Sequence, residues 1–399
     1  MIEFDPNTFV KQQIEEIKKV IGDEKAVIAV SGGVDSLTCA VLTHHAIGDN
    51  LVCVILDDAF MREGEPERVA ETLSRPPLNL PMKVERVQER FLQALKGLRD
   101  AEEKRKAFRE TFYRTLSEIA KREDSDYLVQ GTILADIIET KGGIKTQHNV
   151  LEQLGISTRQ LYGFRVVEPL VSLLKWQVRE VARHLEIPPE MSERQPFPGP
   201  GLSVRVVGEV RHDKIASLKK ATTITERNLA GHKPSQYFAA IIDNEVRPLP
   251  RHEEIVATVS ESLGISPEKV SARIFIDKAT GMKDGKRKYG DILALGCHGD
   301  EGDICQPSIK DLIGLQEKII EERPAVTRVL YEIAARKQSQ PYVIAVRAIE
   351  TRDFLTALVA HIPWSTLKKT ANTILDECLN VSHVYYDVTP KPPATVEME

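Results

Sequence analysis

The stretch whose reading decides the fold is VIAVSGGVDSLTCAVL, Val27 to Leu42. A β-branched run ending at Val30 meets Ser31-Gly32-Gly33-Val34-Asp35-Ser36 and passes directly into apolar positions spaced as a buried helix. A strand that turns straight into a helix leaves the first helical amides free at the positive end of the helix dipole. That arrangement suits an anion, phosphate above all. Gly32 and Gly33 let a ligand approach the backbone without a Cβ and take positive φ where needed, while Ser31 and Ser36 offer hydroxyls. Asp35 is the discordant member: an acid beside phosphate repels it unless a cation lies between, which points to Mg2+. The string lacks the G-x-x-x-x-G-K-[ST] pattern, so it is not a Walker loop. A plainer reading stays open, in which the segment is a capped turn with Ser31 or Asp35 satisfying backbone donors.

Working outward, LVCVILDD (Leu51 to Asp58) completes a strand, helix, strand unit. DYLVQGT (Asp126 to Thr132) and FRVVEPL (Phe164 to Leu170) read as further strands, with helices over 102–122 and 174–185. The first half is therefore expected to be α/β, a parallel sheet with helices on both faces. FDPNTFVKQQIEEIKKVIG precedes it as a helix, capped by Asp5, with Pro6 in its first turn and Phe9, Ile14, Ile17 and Val20 on one face. RQPFPGPGL (Arg194 to Leu202) has too many breakers for a helix or a central strand, so the domains are placed at 1–203 and 204–399. In the second half, residues 288–333 and 340–388 share the order strand, polar loop, helix, strand. Aligning Tyr331 with Tyr386 gives an offset of about 55 residues, the size of a duplicated βαβ unit. Two copies predict an α+β layer with helices on one face and a bare face covered by a second copy of the chain, hence a homodimer.

The totals bound the function. A chain of 399 residues that is 42% hydrophobic has room for two cores. A net charge of −5 with 28% charged residues argues against bulk binding to nucleic acid or an anionic membrane, so any anionic ligand must be held locally. The five cysteines form no C-x-x-C pair, and no secretory signal or long apolar span is evident, which predicts a reduced, cytoplasmic protein without a structural zinc.

SGGVDS resembles the pyrophosphate-binding loop of the N-type ATP pyrophosphatases (PP-loop enzymes), which activate a carbonyl oxygen by adenylation. RETFYRTLSEIA (Arg109 to Ala120), QGTILADIIET (Gln130 to Thr140), IKTQHNV (Ile144 to Val150), RQPFPGPGL, IETRDFLTA (Ile349 to Ala357) and the terminal YDVTPKPPATVEME resemble one family in that class, GMP synthetase. The resemblance spans nearly the whole chain. The second half is similar to the longer form of that family's dimerisation domain, in which the unit occurs twice. The family implies ATP-dependent amination of xanthosine monophosphate (XMP) to GMP through an adenylated nucleotide, releasing AMP and pyrophosphate. By the same resemblance, Val30, Ser31, Gly32, Gly33, Val34, Asp35 and Ser36 would hold the pyrophosphate end of ATP and its Mg2+. Asp136, Glu139, Lys145, Thr146, His148 and Asn149 would belong to a lid over the reacting phosphate, with Lys175 nearby. Arg194, Arg347, Lys391, Val396 and Glu397 would bind XMP. The sequence departs from the family's usual pattern at Ala135, where proline is usual, and at Gln147, where a histidine is. The two domains take up the 399 residues, so ammonia is expected from a separate glutaminase subunit or as free ammonium. A PP-loop enzyme acting on another acceptor, such as a tRNA thiolase, an NAD synthetase or a paralogue amidating another nucleotide, is the alternative; a nucleotide sensor with a relic loop is the non-enzymatic one.

Overall fold

The computed structural model describes residues 4–399 except 142–156, 194, 196, 284, 300, 301 and 352–354, with only the backbone described at 139–141. The chain divides into two compact units, residues 1–94 with 106–199, and residues 95–105 with 200–399.

Among its described residues the first unit carries five strands, β1 (Ala26–Ala29), β2 (Leu51–Asp57), β3 (Met82–Arg86), β4 (Tyr127–Val129) and β5 (Arg165–Val167). They form one sheet in the order β3-β2-β1-β4-β5, every pair parallel. Its helices are α1 (Pro6–Ile21), α2 (Val34–Ile47), α3 (Glu65–Ser74), α4 (Gln88–Leu95), α5 (Ala101–Arg122), α6 (Leu134–Lys141), α7 (Thr158–Tyr162), α8 (Lys175–His184) and α9 (Pro189–Ser192). Leu95 and the first five residues of α5 group with the second unit. Alternation along β1 assigns the two faces: Ile28 packs in a core with Ile17, Leu37 and Val178 of α1, α2 and α8, and Val27 in another with Tyr113, Leu116 and Ile119 of α5. Because the chain leaves β1 toward β2 on one side and reaches β4 on the other, the end of β1 is where strand order reverses. In open α/β sheets that crevice is where ligands bind.

Asp5 caps α1, accepting from the amides of Asn7 and Thr8, both at 3.1 Å. The expected apolar face is only partly observed: Val10, Ile17 and Ile21 are buried, Phe9 and Ile14 partly so, and Val20 is exposed. Val10, Ile17 and Ile21 share one side of the helix by their spacing of seven and four, and Val20 lies a residue off it. β3 was not legible in the sequence. MKVER is a half-buried edge strand without an apolar run.

In the second unit, strands β6 (Gln236–Asp243), β7 (Val246–Arg247), β8 (Val270–Lys283), β9 (Lys286–Cys297), β10 (Val326–Ala335), β11 (Tyr342–Glu350), β12 (Leu358–Val359) and β13 (Val381–Asp387) accompany helices α10 (His212–Leu229), α11 (His252–Leu263), α12 (Ile309–Glu322) and α13 (Trp364–Glu377). The sheet order is β12-β11-β13-β10-β9-β8-β7, with β6 also pairing β11. β9-α12-β10 and β11-α13-β13 are both parallel crossovers, and they meet where β10 lies antiparallel to β13 with Tyr331 opposite Tyr386. Each copy is larger than the sequence repeat. β8 pairs antiparallel with β9, and β6 pairs antiparallel with β11. α11 packs on α12 as α10 packs on α13. The second copy is thus split in sequence, with α10 and β6 placed before the first copy and the remainder after it.

The bare face expected on this sheet is not bare. Phe238, Ala240, Phe275, Ile292, Ala294, Leu330, Val343, Ala345 and Tyr385 form one core with Val207, Val396 and Met398 from outside the sheet. Segments of the same chain therefore cover the surface that was assigned to a second copy. The sequence missed this because the covering tail, KPPATVEME, carries only Ala394, Val396 and Met398 as apolar residues, without strand or helix periodicity. All five cysteines are free thiols, and all but Cys305 are buried. No helix among the described residues is long and apolar enough to cross a membrane.

Candidate functional site

The loop after β1 begins with the Val30 amide still donating to the Val54 carbonyl (2.8 Å), which fixes the exit of the chain from the sheet. Gly32 has φ 76°, a conformation that a residue with a Cβ rarely adopts, whereas Gly33 is extended (φ −81°) and serves as N-cap of α2 without a side chain to cap it. Of the two glycines, the turn itself requires Gly32. The loop hydroxyls bind one another: Ser31 and Ser36 Oγ atoms are 3.1 Å apart, Ser36 Oγ accepts from the Ser31 amide (3.2 Å) and Ser31 Oγ from the Gly33 amide (3.4 Å). Part of the capped-turn reading is therefore correct: serines take two of the loop amides, and the N-terminus of α2 beyond them has no side-chain cap. Val34 is buried and anchors the first turn in the core.

Asp35 sits on that turn. Its Oδ2 accepts from Lys175 Nζ, the first residue of α8, at 2.6 Å, and its Oδ1 is sealed from solvent without a hydrogen-bond partner. Burial pushes the Asp35 carboxyl up from its ordinary range and Lys175 opposes this; Asp136 raises it further and Arg179 lowers it. Asp136, on the first turn of α6, accepts from the Ile133 amide (3.0 Å). α2, α6 and α8 thus bring Asp35, Asp136 and Lys175 to one end of the sheet. A sealed, unpartnered carboxylate oxygen within electrostatic reach of a second carboxylate is a hard-oxygen donor of the type that Mg2+ takes, so Asp35 fits as one ligand of such an ion.

One residue of this site escaped the sequence reading. A Cβ on Gly131, just past β4, would lie 2.8 Å from the Ser36 amide nitrogen and 2.9 Å from the Asp35 carbonyl carbon. Only glycine lets the end of β4 back the loop this closely. The signal in the sequence was the Gln-Gly-Thr that follows a strand, which alone marks no partner. Lys145, Thr146, His148, Asn149 and Arg194 lie outside the described residues, as does the side chain of Glu139.

In the second unit the C-terminal segment is built into the fold. Met398 and Glu399 are fully buried. The Glu399 carboxylate pairs with buried Lys104 and accepts from the Gly208 amide (3.0 Å) and Tyr289 hydroxyl (3.2 Å). Glu397 receives a two-pronged contact from Arg205 (2.8 and 3.0 Å) and a bond from Gln236 (3.0 Å). Lys391 exchanges backbone hydrogen bonds with Ala357, and Val396 is partly buried against the sheet core. Arg347, expected at the nucleotide, is fully buried, donating to Asp387 (2.7 Å) and to the carbonyls of Thr389, Thr395 and Val396 (2.9–3.0 Å). The structure thus brings Arg347, Val396 and Glu397 together. Arg205, Arg328, Asp387 and Lys104 around them were unread because lone charged residues in β-rich sequence give no sign of burial.

Residues 6–188 match the model of the PP-loop domain, and residues 335–398 match that of the GMP synthase C terminal domain. Over its full length the chain is similar to proteins described as one subunit of a glutamine-hydrolyzing GMP synthase. It is 43% identical to that of Sulfurisphaera tokodaii over 396 residues and 40% identical to that of Methanopyrus kandleri over 399, covering 99% of this chain and 100% of the relative in both cases. Among solved structures, NMN synthetase from Francisella tularensis is similar over 50% of this chain and 79% of its own, with a TM-score of 0.39 and 19% identity. With a PP-loop domain, a GMP synthase C-terminal domain and end-to-end similarity at this level, the chain belongs to the GMP synthase family, among the members that form one subunit of the glutamine-hydrolyzing enzyme.

Proposed function

We propose that this protein is the synthetase subunit of a two-subunit GMP synthase, a carbon–nitrogen ligase that converts XMP, ATP and ammonia to GMP, AMP and pyrophosphate. The observation that carries the reading is Asp35: a partly buried carboxylate with one oxygen on Lys175 and the other sealed from solvent without a partner, at the uncapped start of a helix after SGG. This is what a loop needs if it is to receive the two phosphates that ATP loses together with their counter-ion. The relatives' name supplies the product and the nitrogen source, and because it denotes a single subunit it implies a partner that hydrolyses glutamine.

The C2 oxygen of xanthine is a poor leaving group until it is adenylated, so the protein's main work is positioning two anionic nucleotides and absorbing charge. Ser31 to Ser36 present amides and hydroxyls to the β- and γ-phosphates, the two serines exchanging their mutual bonds for phosphate oxygens. Asp35, with Asp136 close by, would hold Mg2+, which when bound neutralises phosphate charge. Lys175, released from Asp35, turns its ammonium to the phosphates. By the family resemblance Asp136, Glu139, Lys145, Thr146, His148 and Asn149 serve the reacting α-phosphate, with Lys145 screening its charge. By the same resemblance Arg194 of the first unit and Lys391, Val396 and Glu397 of the second are each assigned to XMP, and Arg347 acts through the tail that carries the latter three. We further propose that the protein works in the cytoplasm and, because its second unit resembles the family's dimerisation domain, forms a homodimer through a surface of that unit other than the sheet face its own tail covers.

Supplying ATP, Mg2+, ammonium and XMP should yield GMP and pyrophosphate in equal amounts. Pyrophosphate with IMP, UTP or nicotinate-adenine dinucleotide as acceptor, and none with XMP, would transfer the reading to a paralogue. Light scattering tests the dimer.

A further inference from the structure

Three neighbouring strands, β11, β13 and β10, place Arg347, Asp387 and Arg328 side by side, all fully buried. Both guanidinium groups donate to the same oxygen, Asp387 Oδ2, at 2.7 Å from Arg347 and 2.9 Å from Arg328. Two buried cations on one carboxylate is a poor way to gain stability, since each must be desolvated and one would suffice for the acid. Their remaining donors show what the second cation does. Arg347 Nη2 holds the Thr395 carbonyl (3.0 Å) and its Nε the Val396 carbonyl (2.9 Å), while Arg328 Nη2 reaches the Glu397 carbonyl and the Thr395 hydroxyl (2.9 Å). Every backbone carbonyl from 395 to 397 is thereby held by a buried planar fork, which fixes direction as well as distance. Thr395 Oγ1 also donates to the Thr280 carbonyl (3.0 Å) on β8.

We propose that Arg328 and Arg347, locked together through Asp387, are positioning residues for the acceptor nucleotide: they set the path of residues 395–397 and so the placement of the Val396 and Glu397 side chains. This rests on the reading above that Val396 and Glu397 serve XMP, for which Glu397 would exchange its bonds to Arg205 and Gln236 for the ligand and Val396 would line the pocket from the edge of the sheet core. The terminal decapeptide is then a preformed wall of the nucleotide pocket, and Arg347 acts through it without touching the ligand.

The test uses the full chain with ATP, Mg2+, ammonium and XMP, and two variants. Arg328→Lys keeps the charge and loses the fork. Thr395→Val is nearly isosteric and removes only the hydroxyl that Arg328 grips. Arg328→Lys should raise the KM for XMP about tenfold and Thr395→Val about threefold, with the KM for ATP and kcat near wild type, the split expected of lost acceptor binding. Amide hydrogen exchange at residues 394–398 should rise in both variants. Should Arg328→Lys fail to fold, Thr395→Val still reads the same quantities. An unchanged KM for XMP in the folded variants overturns the inference, as does a KM for ATP that rises in step with it, which would mark the network as merely structural. A wild-type protein that makes no GMP removes the proposed function and this inference with it; an active wild type with unaffected variants removes the inference alone.

Discussion

At the scale of single residues, Asp35 combines two opposed demands. Burial disfavours its charge while its proposed task requires it. A carboxyl whose folded value is raised adds its stability at low pH and loses it as pH rises through that value, so near neutrality the ionised group weighs against the fold. Asp35→Asn is therefore expected to abolish pyrophosphate release while the melting temperature stays level or rises slightly. Calorimetry beside a pyrophosphate assay checks both halves, and an active variant would remove Asp35 from the chemistry. The same raised value places the acid limb of kcat/KM for ATP above the usual carboxylate range. Lys175 and Arg179 lower it and Asp136 raises it, so Lys175→Met should shift that limb further toward neutral pH. A limb displaced to lower pH than in wild type would contradict the pairing seen here.

At the scale of elements, the β1-loop-α2 unit was legible because several local signals agree: a β-branched run, a glycine turn, an acid in the first helical turn and a buried helical period. The end of β4 was readable as a strand but not as the loop's support, since contact between residues about 95 positions apart leaves no local trace. Gly131→Ala forces a methyl to within 2.8 Å of backbone that has no side chain to move aside. The overpacking is expected to cost about 1–3 kcal/mol and to weaken ATP binding more than XMP binding. Urea denaturation and the two KM values measure this. In the second unit, the repeat of strand, helix and strand was visible, but the antiparallel partner strands β8 and β6 were not. β6 and α10 belong to a copy from which a whole first copy separates them in sequence.

At the scale of the whole molecule, the most consequential element is the tail. Read alone, a terminus with two prolines and few apolar residues is expected to fray. Here Met398 enters the sheet core and Glu399 meets Lys104 in the interior, so the segment replaces the partner surface that an open sheet would otherwise need. Deleting Met398 and Glu399 should destabilise the protein by about 2–5 kcal/mol, since it opens a cavity in the core and leaves Lys104 buried without its acid. Thermal denaturation checks this, and an unchanged melting temperature would restore the frayed terminus. Lys104 also accounts for residues 95–105 grouping with the second unit: its Nζ donates to the carbonyls of Val206 (2.6 Å) and Gly208 (3.0 Å).

What the sequence by itself determined is the local chemistry: the turn that presents amides and an acid at the end of a strand, the parallel βαβ pattern, the break near the proline-rich loop and the doubled unit beyond it. Those features depend on residues within a few positions of one another or on a repeat with a fixed period. Tertiary structure alone decided the rest. It set which oxygen of Asp35 is engaged by Lys175, that Gly131 must be glycine, and that Arg347 spends its donors on the tail. It also closed the second sheet with the chain's own last residues. Each of these depends on burial and on partners far apart along the chain, and a charged residue in a sequence looks the same whether water or a guanidinium surrounds it.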